Sequence, residues 1–207
     1  MTLTELLAQC RVFLQDPSAT RWSDAELTQW LNEAQDDFAD RTKVNRTTAT
    51  LSVAATTPAN AFYTLPADLL SLERVTRNGE ALDLTSIESF FWEGWEAETG
   101  TPYQYIYGPY GFYALRVYPY PAAPASLTAY YAKQLPRLSS GTDSPSPIPA
   151  PYHIALVHYA LAKAYAKDFE YKEPVKVQDH GAQYADYVTR CVGNMPSGSL
   201  TIPYRHL

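Results

Sequence analysis

From Arg21 to Arg41 the chain reads RWSDAELTQWLNEAQDDFADR, and Leu27, Trp30, Leu31, Ala34 and Phe38 recur at the spacing of one helix face. Three start signals converge just before it. Ser23 and Glu26 form a capping box: the hydroxyl takes the amide of the third helical residue, and the carboxylate reaches back to the Ser amide. Trp22 and Leu27 flank the cap as a hydrophobic staple, and Asp24 and Glu26 sit at the positive end of the macrodipole. Asp36, Asp37, Asp40 and Arg41 fall off the apolar stripe. Upstream, Thr2 and Glu5 make a second capping box, with Leu3, Leu6, Leu7, Cys10, Phe13 and Leu14 following at helical spacing. Asp16-Pro17 stops that helix, because a residue before proline is pushed out of the α region. These two helices read as a hairpin.

After Asn45 the helical period gives way to alternation. Thr48 to Val53 is β-branched and alternating, a strand. Pro58-Ala59-Asn60 turns the chain into Phe62 to Leu65, and Leu69 to Thr76 is extended. Asn78-Gly79 is a two-residue hairpin turn, with Glu80 to Leu84 as the returning strand. Thr85 and Glu88 form a third capping box, opening a short helix that carries Phe90, Phe91, Trp92 and Trp95. Tyr103 to Tyr107 and Phe112 to Tyr118 make a second hairpin around Gly108 to Gly111, and Leu127 to Ala132 is one more strand. Ser139 to Pro149 has hardly an apolar residue, and a structureless loop of that length is usually functional or mobile. Pro151 opens a helix with Ile154, Val157, His158, Leu161 and Tyr165 on one face. Pro174 opens another, with Val177, Tyr184, Val188 and Cys191 inward.

The layout is α+β: a four-helix bundle formed by the N- and C-terminal helix pairs, with an inserted antiparallel β module. Residues 1–45 are the N-terminal hairpin, 46–135 the β module, 136–149 a Pro/Ser-rich loop, 150–195 the C-terminal pair and 196–207 an extended tail.

At 46% apolar and 18% charged, the chain is globular in composition. Nine of its 17 Tyr fall between Tyr103 and Tyr131, which marks either a contact surface or cross-strand aromatic packing. A net charge of −6 and the lack of any basic run argue against gripping nucleic acid, which needs clustered cations to displace phosphate counterions. Neither a secretory signal nor a membrane-spanning apolar run is expected. Cys10 and Cys191, far apart and each within a helical pattern, read as two reduced, buried thiols, as in a reducing cytoplasm.

Catalytic signatures are sparse. The chain has no nucleophile elbow, phosphate loop or dinucleotide fingerprint. His153 and His158 are five apart, not the i, i+4 of a zinc-binding pair, and His158 lies on an apolar stripe as a core histidine. FFWEGWEAE, Phe90 to Glu98, sets Glu93 and Glu96 beside Trp92 and Trp95, as glycosidases set paired carboxylates beside aromatic platforms. An amphipathic helix with its acids in water accounts for the same residues, and no group that would tune the carboxylates can be named. No catalytic residue, cofactor or metal is assigned.

RWSDAELTQWLNEAQ (Arg21 to Gln35), FYTLPADLLSLERVTRNGEAL (Phe62 to Leu82), ALRVYPYPAAP (Ala114 to Pro124) and PYHIALVHYALAKAYAKDFE (Pro151 to Glu170) occur in that order. Together they resemble the head-to-tail adaptor (connector) proteins of tailed bacteriophages, over about residues 3 to 190. The resemblance implies a non-enzymatic virion protein of the neck, assembled in the host cytoplasm. It implies a homo-oligomeric ring of twelve copies beneath the portal protein, extending the channel for double-stranded DNA without sequence-specific binding, and docking the next tail or nozzle protein. A membrane plays no part in it.

On that reading Asp36, Asp37 and Arg41 belong to the subunit interface or channel wall. Leu200, Ile202 and Tyr204 alternate in a portal-docking tail that adds as a strand to a partner's sheet or wedges between subunits, against the alternative of a disordered terminus. Tyr107, Tyr110, Pro145 and Pro147 are the expected contacts with the next tail component. Another neck ring, head-closure or tail-terminator, is the alternative of the same class. From a different class, a glycan-binding or glycan-cleaving tail module would account for Trp92, Trp95 and the tyrosines.

Overall fold

A computed structural model describes residues 1–53, 63–86, 98–108, 113–167 and 173–195. The chain is mixed helix and sheet and divides into two units. One comprises residues 1–45 and the described residues from 134 onward; the other comprises residues 46–133.

The first unit holds α1 (Leu3–Leu14), α2 (Asp24–Thr42), a 3-10 turn (Ala150–Tyr152) leading into α3 (His153–Lys167), and α4 (Pro174–Asn194). Both capping boxes expected in this unit are present, while the third, at Thr85 and Glu88, lies partly outside the described residues. Thr2 Oγ1 accepts from the Glu5 amide at 3.3 Å while the Thr2 amide donates to Glu5 at 2.9 Å, and Ser23 and Glu26 repeat the pattern at 3.2 and 3.1 Å. α1 ends with Gln15 left-handed (φ 53°), and Asp16 then organises the link to α2. Its carboxylate accepts the amides of Thr20, Arg21 and Trp22, the Thr20 hydroxyl and the Arg11 guanidinium. Burial raises the Asp16 pKa, but those hydrogen bonds outweigh it and hold the carboxyl well below the usual carboxylate range.

α3 packs against α1, α2 and α4. Its Ala155, Leu156, Val157, Ala160, Leu161 and Ala164 are fully buried, and the three alanines let neighbouring helices approach closely. Val177 of α4 is only half-buried, whereas Tyr184, Val188 and Cys191 face inward. Both cysteines are free and buried.

Three polar residues of α2, Asn32, Gln35 and Thr42, are also buried, which its apolar stripe does not announce. The Asn32 side chain accepts the Leu138 amide at 2.8 Å and donates to the Leu138 carbonyl at 3.0 Å; Gln35 donates to the Pro136 carbonyl at 2.7 Å. These bonds order a segment whose composition reads as a loose loop. Leu135, Leu138, Pro145 and Ile148 are buried, and the Asp143 carboxylate gathers the Ser139 and Ser140 amides at 2.8 and 2.7 Å. The segment also caps α1, with the Leu3 and Thr4 amides donating to the carbonyls of Asp143 and Gly141.

In the second unit, β1 (Arg46–Val53), β10 (Ala125–Lys133), β3 (Leu69–Arg77) and β4 (Glu80–Ala81) lie side by side in that order. A second sheet runs β2 (Tyr63–Thr64), β8 (Ala114–Tyr118), β7 (Gln104–Tyr107), β5 (Asp83–Leu84). Leu51, Val75, Leu127 and Ala129 of the first sheet share one core with Tyr105, Leu115 and Val117 of the second. Asn78 and Gly79 both have positive φ, as the hairpin turn requires. The returning strand Glu80 to Leu84 is not continuous. Leu82 is buried and the chain changes sheets there, so Asp83–Leu84 pairs with β7. That pair is parallel, as is β6 (Thr99–Gly100) with β9 (Tyr120–Pro121), whereas every other ladder among the described residues is antiparallel.

Tyr105, Tyr118, Tyr120 and Tyr131 are buried, Tyr107 and Tyr130 half-buried, and Tyr103 and Tyr113 exposed. Packing within the sheets therefore explains most of the tyrosine cluster. The expected helix bearing Phe90 to Trp95, with Glu93 and Glu96, lies outside the described residues, as do Tyr110 and residues 196–207.

Replacing Asn32 with Ala leaves two buried backbone groups of Leu138 without partners, an expected loss of about 2–3 kcal/mol in urea unfolding. A loss below about 0.5 kcal/mol would show that packing alone holds the segment.

Candidate functional site

The polar face of α2 carries Glu26, Glu33, Asp36, Asp37 and Asp40, and each is paired within its own unit. Glu26 meets Lys167, Glu33 meets Lys163 at 3.4 Å, and Asp36 meets Arg137 at 3.0 Å. Asp37 takes Arg41 at 2.8 Å, and Asp40 takes Lys43 at 2.6 Å. Burial raises the Asp36 pKa more than Arg137 lowers it. Asp37 also accepts the Tyr184 hydroxyl at 2.6 Å, and the Arg41 guanidinium lies 5.9 Å from the Tyr184 ring centre. The Tyr184 hydroxyl is pushed far up, by burial first and by its bond to Asp37 second. Helical spacing thus places Asp37 and Arg41 one turn apart, and α4 supplies the tyrosine that joins them.

Asp36 and Asp37 are half-buried and Arg41 is exposed; the structure brings Asp37 and Arg41 together, while Asp36 faces Arg137. Tyr107 is half-buried, Pro145 buried and Pro147 exposed. Tyr110, Leu200, Ile202 and Tyr204 lie outside the described residues. Among the described residues no group of three metal-ligating side chains converges.

The second polar cluster lies between α3 and α4. His158 Nδ1 and His180 Nδ1 are 3.1 Å apart, with ring planes at 25° and ring centres 5.3 Å apart. That is two rings meeting nitrogen to nitrogen nearly in one plane, so one Nδ1 carries the proton and the other accepts it. Phe13, at 6.0 Å from each ring, Tyr165 and Tyr187 enclose the pair. Burial first, and the neighbouring His180 second, push the His158 pKa down to about 4. Sequence reasoning identified His158 as a core residue but missed its partner. The signal was available: in an antiparallel helical hairpin, residues equidistant from the connection meet, and His158 and His180 are nearly so about the link between α3 and α4.

The first cluster presents a charge-paired surface and the second a buried joint between α3 and α4. On the outer surface of this unit, Val12, Phe13, Val175 and Val192 are large apolar side chains left exposed.

A family model described as SU10 adaptor protein matches residues 1–197. No curated protein matches the chain.

Stability is expected to fall as pH drops from about 6.5 to 4, because the unfolded chain protonates His158 at its ordinary value while the folded chain does not. The shift corresponds to about 3 kcal/mol at most. His153 and His180, also shifted down by burial, act in the same direction, so His158→Gln flattens the decline without abolishing it. Asp16 and Asp143, held low by hydrogen bonds, lose their contributions only below their ordinary value near 3.8. Urea midpoints measured at intervals across pH 7 to 4 would show whether the decline belongs to the histidines. In a double-mutant cycle of Asp37→Ala with Tyr184→Phe, the expected coupling is about 1 kcal/mol, and additive losses would mean that the short contact contributes nothing.

Proposed function

We propose that this chain, which belongs to the SU10 adaptor protein family of phage head-to-tail adaptors, forms one wedge of a twelve-membered ring beneath the portal. There, in the virion neck, it extends the DNA channel and docks the next tail component. Its role is structural rather than enzymatic. The observation that carries the reading is the span of the family match, residues 1–197, which takes in both units of the chain.

A closed ring needs one face of each protomer to meet a different face of its neighbour. In our reading the four helices act as a bundle around α3, and the exposed apolar side chains of α1 and α4 supply that contact. Val12 is 71% and Val175 69% exposed, and covering such side chains stabilises an assembly by about 25 cal/mol per Å² before the costs of association. Asp36, Asp37 and Arg41 are assigned to the channel wall or to the subunit contact. Their charges are already paired, so they neither attract nor hold the phosphates of passing DNA. Contact with the next tail component is assigned to Tyr107 and Tyr110 of the sheet unit and to Pro147, two residues past the buried Pro145, of the helical unit.

Native mass measurement of the chain alone and mixed with its portal tests the reading. A complex holding twelve copies per portal ring is expected. A chain that stays single in the portal's presence would sink it. Val12→Glu and Val175→Glu should leave the unfolding free energy within about 0.5 kcal/mol of its starting value while abolishing the ring.

A further inference from the structure

The first sheet ends in a long strand that, among the described residues, is paired on one side only. β1 pairs with β10 over all eight residues, Arg46 to Val53, in an unbroken antiparallel register, and stands at the edge of the strand order. Among the described residues no other strand pairs with it. Natural edge strands are blunted by proline, by lysine, by a bulge or by an inward-pointing charge. RTTATLSV has none of these. Its one charge, Arg46, sits at the first position and is paired with Glu73 at 2.8 Å. Thr48, Thr50 and Ser52 point to solvent, whereas Leu51 enters the core and Thr47 and Ala49 remain half-covered at its rim. Such an edge accepts an extended segment that alternates apolar and polar residues, apolar side toward Ala49.

Two copies of β1 pairing with each other would give a twofold contact, which closes as a dimer and not as a ring. The complementary strand must therefore be a different segment. One stretch beyond the described residues has the required pattern: Ser199–Leu207, SLTIPYRHL, nine residues against the eight of β1. Leu200, Ile202 and Tyr204 fall on one side of an extended chain, with Thr201 on the other, where it can face the threonines of β1. Pro203 has no N–H to offer. A ladder made through Leu200, Ile202 and Tyr204 turns the Pro203 nitrogen away from β1, the position in which an added edge strand tolerates proline.

We propose that the free edge of β1 is the docking site for Ser199–Leu207 of a neighbouring copy, which adds to the sheet as an antiparallel strand. Two steps rest on the ring reading: the exclusion of a second β1 as the occupant and the choice of a neighbour as donor. A tail used in this way links adaptor to adaptor and leaves portal binding to other surfaces.

The test is amide hydrogen exchange on a chain ending at Gly198, with a synthetic peptide of sequence SLTIPYRHL added. At a peptide concentration about ten times the dissociation constant, exchange within Arg46–Val53 should slow about tenfold. The same peptide with Ile202→Pro, which loses a ladder N–H, should have no effect. Protection elsewhere, no protection, or equal protection by both peptides would overturn the proposal. In the intact chain, protection of β1 should rise with protein concentration. Concentration-independent protection would mean that each chain docks its own tail, and would overturn the neighbour as donor. Peptide docking by a chain that never assembles on its portal would leave the edge site standing and remove the ring reading.

Discussion

The helical unit depends on three side-chain amides that read a returning backbone. Its two halves are separated in sequence by the whole β module, residues 46–133, so the chain must leave α2 and come back to it in one register. Apolar packing does not fix that register, because burial is non-directional and a segment can slide along a helix at little cost. Directional bonds do fix it. Asn32 holds both backbone groups of Leu138, Gln35 holds the Pro136 carbonyl, and the Asn45 side chain holds the Gln134 carbonyl at 3.2 Å. As the helix rises the bonded positions descend, so α2 and the returning chain run in opposite directions. Each bond contributes about 1 kcal/mol net, but leaving the buried groups held by Asn32 and Gln35 unpaired costs more, which makes any other register unfavourable.

The same returning segment then organises what α2 does not touch. Its carbonyls at Gly141 and Asp143 take the first free amides of α1, and His153, at the start of α3, is bonded to the Ile148 carbonyl at 2.7 Å. α1, α2 and α3 are thereby tied to one irregular stretch of about fifteen residues, which lacks secondary structure yet is among the best-anchored parts of the unit. Asp143 gives the stretch its internal turn by accepting from Ser139 and Ser140, and these bonds hold its pKa low.

Much of this order was legible in local chemistry and some was not. The caps at Thr2 and Ser23, the turn at Asn78-Gly79 and the alternation before Val53 are short-range signals, and they appear where the sequence puts them. Composition misled at residues 139–149, because serine and proline describe a segment's own preferences and not the amides waiting for it on another helix. Asn32 and Gln35 were illegible for the matching reason: an amide on a helix face reads as solvated unless the backbone it will bind is known. The break at Leu82 is a third case. A continuous β-pattern gives no sign that its middle residue dives into the core and sends the rest of the strand to another sheet. Among the candidate site residues, Asp37 and Arg41 were placed one turn apart by helix geometry, whereas Tyr184 could join them only through tertiary packing.

The ion pairs on α2 have little to give to assembly. Their side chains are about a third to two-thirds exposed, and pairs in that setting are worth about 0–1 kcal/mol each in water. What they do is remove bare charge from the polar face of α2, where, on the proposed ring reading, like charges from neighbouring copies would otherwise accumulate. On the proposed ring reading, strength has to come from apolar side chains and from backbone pairing, and among the described residues Val12 and Val175 are exposed on the helices and β1 is paired on one side only. In a closed ring neither needs to be strong. The last contact to form is intramolecular, so its effective concentration is high, and a set of contacts each too weak to hold two chains together can hold a circle of them. On the proposed ring reading, paired charges on α2, exposed valines on the helices and a strand paired on one side among the described residues are therefore contacts that gain their strength from closure and not from any one pair of copies.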